Sequence, residues 1–329
     1  MPIAPPAPDA SPTPALGPNR RAARIARRLA AEAGRLGVGV RRGGEGPLIV
    51  DCGHRHRGGL EAGLRLAQAS LGGLAEVALV PMPEGPLPWG VTVRTAWPVA
   101  ACLGCQYAGW SFESADGPLL GSGPARTLAR PDPVADEFAP REREGEAVLV
   151  VEGPVPPPAA LAREAAGACG VAPDRLALLH APTGSLAGAV QVAARALECA
   201  MARLRGLGFD PRLVREGAAL AGLAAPHPDP VAAMGRSNDA ILYGARVHLW
   251  TEAPQEEARR LAEALPSCRS PEWGRPFAEA FAAAGGAFAS IEPGLFAPAL
   301  VRVTALGTGR SFESGRTLPV RLRAAAGLG

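Results

Sequence analysis

The chain contains no lysine, since every one of its 34 basic residues is arginine. This absence excludes Schiff-base chemistry and a phosphate-binding P-loop, because both depend on a lysine amine. Aromatic residues make up only 5% of the chain, and six cysteines in 329 residues are too few for a disulfide scaffold. The formal net charge is only +3, so the protein has no general attraction for nucleic acid or anionic lipid.

Long apolar runs are also missing. A membrane-spanning helix needs about 20 predominantly apolar residues, whereas the two long uncharged stretches, 95–112 and 176–194, are interrupted by Pro, Gln, His and Thr. Residues 1–18 are rich in Pro and have neither the charged start nor the apolar centre of a secretory signal. We therefore expect a soluble, cytoplasmic protein in which residues 1–18 form a disordered tail, because they offer almost nothing to bury.

Short strands and helices alternate along the remaining residues, 19–329. The apolar runs and their periodicity predict strands at 46–53, 75–81, 147–152, 175–180, 239–250 and 299–305, and helices at 19–37, 58–70, 157–169, 184–206 and 254–265. Asn19 is predicted to cap the first helix, and the charged, Pro-bearing stretch 130–146 is predicted to be a linker. This alternation without an internal repeat is typical of a mixed α/β (α+β) fold, here in two closely packed lobes.

The predicted helix 184–206 carries a polar stripe. Gln191, Arg195 and Glu198 are spaced i, i+4 and i+7, which places them on one side of the helix. The opposite side predicts a core face, made of Val190, Ala194, Leu197, Met201 and Leu204. Because Ala, Val and Gly surround the Arg–Glu pair, we interpret the pair as lying in a cleft. The alternative is an ordinary salt bridge on the helix surface.

Three polar segments that contain glycine are further candidates for ligand contact. Residues 181–188 lead into the same helix with Thr183 and Ser185, where the first turn offers backbone N–H groups to a ligand. Residues 121–126 (GSGPAR) and 235–239 (GRSND) are predicted loops, the second at the entry to the strand 239–250. A plain turn would explain 235–239 equally well, because turns also favour Gly, Asn and Asp.

A metal site is the second chemical hypothesis. Cys52, His54 and His56 alternate, so on a strand they would share a face and resemble half of a zinc site, to which Cys102 and Cys105 could add two ligands. Against it, the two histidines are interleaved with arginines, as in a solvated loop, and Cys in small-residue stretches often serves as a minor core residue. A metal-dependent hydrolase therefore stays open as an alternative.

Six sequence blocks, in order along the chain, carry a resemblance to a known family. They are 105–110 (CQYAGW), 121–126 (GSGPAR), 181–188 (APTGSLAG), 195–198 (RALE), 235–244 (GRSNDAILYG) and 293–299 (PGLFAPA). In these blocks the chain resembles the methenyltetrahydromethanopterin cyclohydrolases. It departs from the family pattern mildly at Gly184 and Ser237, and also at Ala96, where an acidic residue is expected after Thr95.

The resemblance implies a two-lobed fold with a substrate cleft between the lobes, a homotrimer, and no cofactor or metal. It implies reversible conversion of the methenyl to the formyl form of tetrahydromethanopterin, which in methylotrophic bacteria belongs to formaldehyde oxidation. It also assigns the chemistry to Arg195 and Glu198.

The substrate chemistry agrees with these two roles. The methenyl carbon lies between two nitrogens in a cationic, amidinium-like group, so it needs only a positioned water and a base. Glu198 is predicted to orient and deprotonate that water, and Arg195 to hold the carboxylate. The candidate pterin-binding residues are Gln106, Ser122, Arg126, Thr183, Ser185, Gln191, Arg236, Asn238 and Asp239. A catalytically silent pterin-binding homologue is the remaining alternative.

Overall fold

The computed structural model describes residues 16–114, 117–142 and 145–328. Over these residues the chain forms two six-stranded sheets with helices packed around them, so the mixed α/β fold is confirmed. The strands are β1 (Gly39–Arg42), β2 (Leu48–Asp51), β3 (Glu76–Pro81), β4 (Trp89–Thr95), β5 (Trp110–Phe112), β6 (Leu119–Ser122), β7 (Ala147–Glu152), β8 (Leu176–Ala181), β9 (Val214–Gly222), β10 (Arg246–Thr251), β11 (Leu300–Ala305) and β12 (Arg310–Gly315). The helices are α1 (Pro18–Ala31), α2 (Ala33–Leu36), α3 (Leu60–Ser70), α4 (Ala125–Ala129), α5 (Pro133–Phe138), α6 (Ala159–Cys169), α7 (Leu186–Ala193), α8 (Ala196–Gly206), α9 (Pro230–Gly244), α10 (Gln255–Ala264), α11 (Phe277–Ala283), α12 (Pro319–Ala325) and a π-helical segment, Val99–Gln106.

The first sheet has the strand order β1-β2-β8-β7-β6-β5, in which β2, β8 and β7 run parallel. Helices α1 and α3 cover one face, and α4 and α6 cover the other, which explains why β7 and β8 are almost uniformly apolar. The three parallel strands end at Asp51, Ala181 and Glu152, on one edge of the sheet. This edge is where ligands usually bind in sheets of this kind.

The second sheet has the order β12-β11-β10-β9-β4-β3 and is antiparallel except between β10 and β11. Helices α8 and α10 pack against one of its faces. A broad, shallow concavity lies against the sheet and is lined by a mixture of small, aliphatic and polar residues, including Ala78, Thr92, Ala218, His248 and Leu300. Burial alternates along β10 and β11, as expected for a sheet with one covered face.

Helices α7 and α8 connect the two sheets. Helix α7 follows β8 of the first sheet, and α8 packs against β9 and β10 of the second. Helix α7 also lies close to α3, where a Cβ on Gly63 would come within 2.7 Å of Val190 Cβ. The residues predicted as the core face of this segment are all fully buried: Val190, Ala194, Leu197, Met201 and Leu204. The polar stripe of Gln191, Arg195 and Glu198 is therefore held in place, because the helices that carry it pack against elements of both sheets.

The N-terminal predictions need correction. Residues 1–15 of the predicted tail lie outside the described residues, and Pro18, its last residue, is buried in the first turn of α1. Gly17 rather than Asn19 is the N-cap. Asn19 is fully buried, donates to Pro124 O at 2.8 Å and accepts from Val148 N at 3.0 Å. These long-range hydrogen bonds fasten α1 to β7 and to the residue that precedes α4, and local sequence cannot reveal them.

The stretch 130–146 was predicted to be a linker, but over its described residues it is a packed segment. Its N-cap residue Asp132 accepts from Val134 N and Ala135 N, both at 3.0 Å, and starts α5. Val134 and Phe138 are buried in the same core cluster as residues of the π-helical segment, against which α5 packs. The charged, Pro-bearing composition concealed this short amphipathic turn.

The strand predicted at 239–250 is wrong in its first half. Asp229 caps a helix that has Pro at its first position, and this helix, α9, continues through Gly244 before β10 begins. The run from Ala240 to Tyr243 looked like a strand because it is entirely apolar, yet all four residues are buried within the helix. In the described part of the chain, no helix is long and apolar enough to cross a membrane.

Candidate active site

Arg195 lies at a break between α7 and α8, whereas the sequence predicted one helix over 184–206. The backbone N–H of Arg195 donates to Val192 O at 2.9 Å, in a turn tighter than that of an α-helix. The helix resumes after it, where Cys199 N donates to Arg195 O at 2.8 Å. The polar stripe continues across the break. Arg195 Nε donates to Gln191 Oε1 at 3.0 Å, and Arg195 Nη1 lies 3.4 Å from Glu198 Oε2. The three side chains are in contact, as their spacing predicted.

The Arg195 guanidinium joins segments that are far apart in sequence. Its Nη1 also donates to Gln106 O at 2.9 Å, at the end of the π-helical segment, and its Nη2 donates to Ser122 Oγ at 3.2 Å, at the end of β6. Arg195 keeps only 9% of its surface exposed. Three of the sequence blocks that carried the family resemblance, 105–110, 121–126 and 195–198, therefore meet at one nearly buried cation.

Glu198 is the acidic partner in this site and is only 7% exposed. Burial raises the pKa of its carboxyl, and the positive charges of Arg195 and Arg126 oppose that rise without cancelling it. Cys102 and Cys199 lie near enough for the Glu198 charge to add to the effect of burial, which raises the pKa of both thiols. A carboxyl with a raised pKa beside a fixed arginine is suited to accept a proton and return it.

Glu152 belongs to the same network, and the sequence interpretation missed it. Its Oε2 accepts from Gln191 Nε2 at 2.6 Å, and its Oε1 accepts from Thr183 Oγ1 at 2.6 Å. A line of polar contacts thus runs from Thr183 through Glu152, Gln191 and Arg195 to Glu198. One signal was available: Glu152 ends a predicted strand, and residues at the carboxyl ends of parallel strands often form ligand sites.

A cleft of about 490 Å³ opens beside Glu152, at the carboxyl edge of the first sheet. Thr183 and Ser185 line it, and Ser185 also caps α7 by accepting from Gly188 N at 3.0 Å. The far wall comes from Met234 of α9, Phe281 of α11 and Phe288, which lies in a short 3-10 turn after α11. The cleft lies between elements of the first sheet and the helices that follow β9 of the second.

Arg126 and Gln106, both predicted to bind substrate, are fully buried. Arg126 forms an ion pair with Asp132 at 2.6 Å, and it donates to Leu103 O at 2.9 Å and Gly104 O at 3.2 Å. Its guanidinium therefore satisfies backbone carbonyl groups near the end of the π-helical segment and does not face solvent. The Gln106 side chain donates at 3.4 Å to Ala194 O, while its buried Oε1 has no hydrogen-bond partner among the described residues.

The segment 235–239, predicted to be a loop, lies inside α9, so its side chains point in different directions. Arg236 donates to Pro226 O at 3.4 Å and Asn238 to Met234 O at 2.9 Å. Asp239 is buried and accepts from Phe277 N, the first residue of α11, at 2.9 Å. None of the three contacts Arg195 or Glu198 through a described hydrogen bond or ion pair.

We expect Asp239→Asn to stabilise the protein increasingly as the pH rises. Burial raises the pKa of the Asp239 carboxyl from 3.8 to about 7, so the native state holds a proton that the unfolded chain releases above about pH 4. That stabilising contribution is lost as the pH rises through about 7. Asn keeps the acceptor for Phe277 N without the charge. Its advantage in unfolding free energy should grow on the order of 2 kcal/mol between about pH 5 and pH 8.

Urea unfolding at the two pH values measures this effect. Asp174→Asn, at an exposed position, is the matched control and should show no such growth. If the unfolding free energy of the Asn variant had the same pH dependence as that of wild type, Asp239 would not be the buried, protonated group assigned here. A raised KM in the Asn variant would indicate a contact between Asp239 and the substrate.

The metal alternative finds no support in the side-chain arrangement. Among the described residues, no group of three or more His, Cys, Asp or Glu side chains is placed to hold a metal ion. Cys52 is fully buried, and burial raises the pKa of its thiol to about 12. His56 Nδ1 faces Asp51 Oδ2 at 3.2 Å, while His54 packs edge-on against His180. The three predicted ligands do not converge.

Comparison with known proteins gives the family. Residues 18–325 match the family model described as Cyclohydrolase (MCH). The methenyltetrahydromethanopterin cyclohydrolase of Methylobacterium sp. (strain 4-46) is 45% identical over 306 residues, which cover 92% of this chain and 94% of the relative. The enzyme of the same name from Xanthobacter autotrophicus is 46% identical over 294 residues, covering 89% and 87% of the two chains. That of Methanothermobacter marburgensis is 36% identical over 304 residues, covering 90% and 95%.

These matches confirm the resemblance to this family. The chain belongs to the methenyltetrahydromethanopterin cyclohydrolase family.

Proposed function

We propose that this protein hydrolyses methenyl-tetrahydromethanopterin to formyl-tetrahydromethanopterin, reversibly and without a cofactor. The observation that carries the proposal is the nearly buried pair of Arg195 and Glu198. The names of the relatives support the same reaction. The reaction places the enzyme in one-carbon metabolism.

In the proposed mechanism, Glu198 orients a water molecule against the methenyl carbon. The water oxygen forms a C–O bond, and Glu198 accepts the proton released from the water. The resulting carbinolamine then collapses: its hydroxyl oxygen loses a proton to solvent and forms the formyl C=O bond, one C–N bond breaks with its electron pair staying on the ring nitrogen, and Glu198 returns the first proton to that nitrogen. One proton is released overall, as the conversion of a cationic methenyl group to a neutral formyl group requires. The raised pKa of Glu198 suits both steps, because the group must gain and lose a proton within each turnover.

Arg195 supports this cycle as the positioning residue for Glu198. Its guanidinium holds the carboxylate from one side, and its bonds to Gln106 O and Ser122 Oγ prevent it from moving. While Glu198 is charged, it also stabilises the cationic methenyl group electrostatically. Arg195 limits how far the pKa of Glu198 rises, so that the charged form stays accessible.

The setting of the reaction is part of the proposal. We propose a role in formaldehyde oxidation by a homotrimer, as the family resemblance implies, and a location in the cytoplasm. The concave face of the second sheet, with Ala78, Ala218 and Leu300 among its lining residues, is a surface available to a second copy.

The test follows the ultraviolet absorbance of methenyl-tetrahydromethanopterin with purified protein that has been treated with a chelator. We expect a rapid loss of absorbance at a rate unaffected by the chelator. Loss only after a divalent metal is restored would favour the metal-dependent hydrolase. Binding of the substrate without any loss of absorbance would identify a catalytically silent homologue.

A further inference from the structure

The cleft beside the active site combines an apolar wall with one carboxylate. Phe281 and Phe288, whose ring centroids are 5.0 Å apart, contribute to its far wall. Several prolines line it as well, namely Pro118, Pro154, Pro182, Pro228 and Pro230. Among the described residues that line the cleft, Glu152 is the only carboxylate, and no arginine is among them. This lining suits a flat aromatic ring whose faces pack against apolar side chains and whose edge carries hydrogen-bond donors.

The Glu152 carboxylate is held in place by neutral groups. Thr183 Oγ1 and Gln191 Nε2 each donate to one of its oxygens at 2.6 Å. No ion pair with Glu152 occurs within the described ranges 16–114, 117–142 and 145–328. An ionised carboxylate offers about four acceptor sites, so each oxygen can still take one further donor. A carboxylate that is oriented, half-buried and without a cation is prepared for a ligand with two donors.

The strand register connects Glu152 to the catalytic pair. Glu152 of β7 lies opposite Leu120 of β6, and Ser122, two residues further along β6, points to the same face of the sheet. Ser122 Oγ accepts from Arg195, and Gln191 links Arg195 to Glu152. Glu152 and Ser122 therefore lie on the same face of the sheet, and a ligand that binds Glu152 joins the hydrogen-bond network that contains Arg195 and Glu198.

We propose that Glu152 is a specificity-determining residue that accepts the paired N–H donors of the pterin, its N3–H and its 2-amino group. The inference rests on the proposed function, because it takes the pterin as the ligand. A pterin is a 2-amino-4-oxopteridine, and its adjacent donors match a carboxylate in the way that a guanidinium does, through two parallel hydrogen bonds. The apolar wall with Phe281 and Phe288 packs against the flat faces of the ligand.

The first test is kinetic and compares Glu152→Gln with wild type. The amide offers one acceptor and one donor, so one hydrogen bond to the pterin edge is replaced by a clash between donors. We expect KM for methenyl-tetrahydromethanopterin to rise by about 10- to 100-fold while kcat changes by less than about 3-fold. Glu256→Gln, the same substitution at an exposed position of α10, is the matched control and should leave both constants unchanged.

Glu152 would instead be only a positioning residue for Gln191 if Glu152→Gln lowered kcat and left KM unchanged, and that result would overturn the proposal. Thr183→Val gives an independent check, because it removes a neutral donor to Glu152 but keeps the carboxylate. It should raise KM less than Glu152→Gln does. A normal melting temperature for each variant excludes misfolding as the cause.

A binding test separates this proposal from the proposed function. Lumazine has a carbonyl oxygen at position 2, where pterin has the amino group, and it carries a hydrogen on N1 as a consequence, while N3–H is present in both rings. We expect wild type to bind pterin at least 10-fold more tightly than lumazine, and Glu152→Gln to lose or invert that preference, whether or not the protein turns over substrate. Equal affinities in wild type, or an unchanged preference in the variant, would contradict the assignment of Glu152 even if cyclohydrolase activity is present.

Discussion

Glu198→Gln is expected to lower kcat for hydration of the methenyl substrate by about 10³-fold or more, within the range that a general base contributes. Gln has nearly the same shape, and its amide oxygen can still accept from Arg195 Nη1, 3.4 Å from Glu198 Oε2 in the wild type. It cannot take a proton from water or return one to the ring nitrogen. KM should stay within a few-fold, because the loss falls mainly on the transition state. Initial rates measured by the loss of methenyl absorbance give both constants.

The pH profile supplies the control for this variant. Because burial raises the pKa of Glu198, wild-type kcat for hydration should rise with pH through that raised pKa as the carboxylate forms. The residual rate of Glu198→Gln should not show this rise with pH. Thermal unfolding should be as cooperative as in wild type, since the substitution removes a buried charge and keeps the volume. Near-normal turnover by a folded Gln variant would contradict the assignment of Glu198 as the base.

Arg195→Met is expected to have the second-largest effect, and through a different route. It removes the cation beside Glu198 and the donors to Gln191, Gln106 and Ser122. The pKa of Glu198 should then rise further, because Arg195 is the largest influence that opposes its burial. We expect kcat at neutral pH to fall by about 10²- to 10³-fold and the rising limb of the pH profile to move to higher pH. Rates measured across the pH range test both parts.

Stability distinguishes positioning from simple loss of packing. Removing one member of a buried ion pair usually costs about 3–5 kcal/mol, so Arg195→Met should unfold at a lower denaturant concentration. The double variant Arg195→Met with Glu198→Gln should recover much of that stability, because no charge is left without a partner, yet it should stay inactive. A pH profile of Arg195→Met that has the wild-type midpoint would show that Arg195 does not control Glu198.

The local sequence accounts for much of the fold and for the centre of the site. The strand 147–152 was predicted with the bounds that β7 has, and the i, i+4 and i+7 spacing of Gln191, Arg195 and Glu198 predicted their mutual contact. These predictions succeeded because the periodicity of a strand or a helix is a local property. It identifies the residues that share a face, even where the helix is interrupted at Arg195.

Other features depend on contacts that no local pattern encodes. The run 240–243 is as apolar as a buried strand, and only its packing among other helices allows a helix that is buried nearly all round. Arg126 looked like a ligand-binding residue because its loop is polar. Its partners, Asp132 and the carbonyls of the π-helical segment, become visible only when the chain folds back on itself.

The sequence by itself therefore determined the mixed α/β class, the family and the Arg195–Glu198 pair, because each depends on residues that are close together or on ordered sequence blocks. The tertiary structure alone decided that Glu152 joins this pair, since β7 and α7 are brought together only when the first sheet and its helices pack. It also decided that Asp239 supports α11 instead of facing the pair. The physical reason is the same in each case: hydrogen bonds between distant segments are selected by packing, which local sequence does not specify.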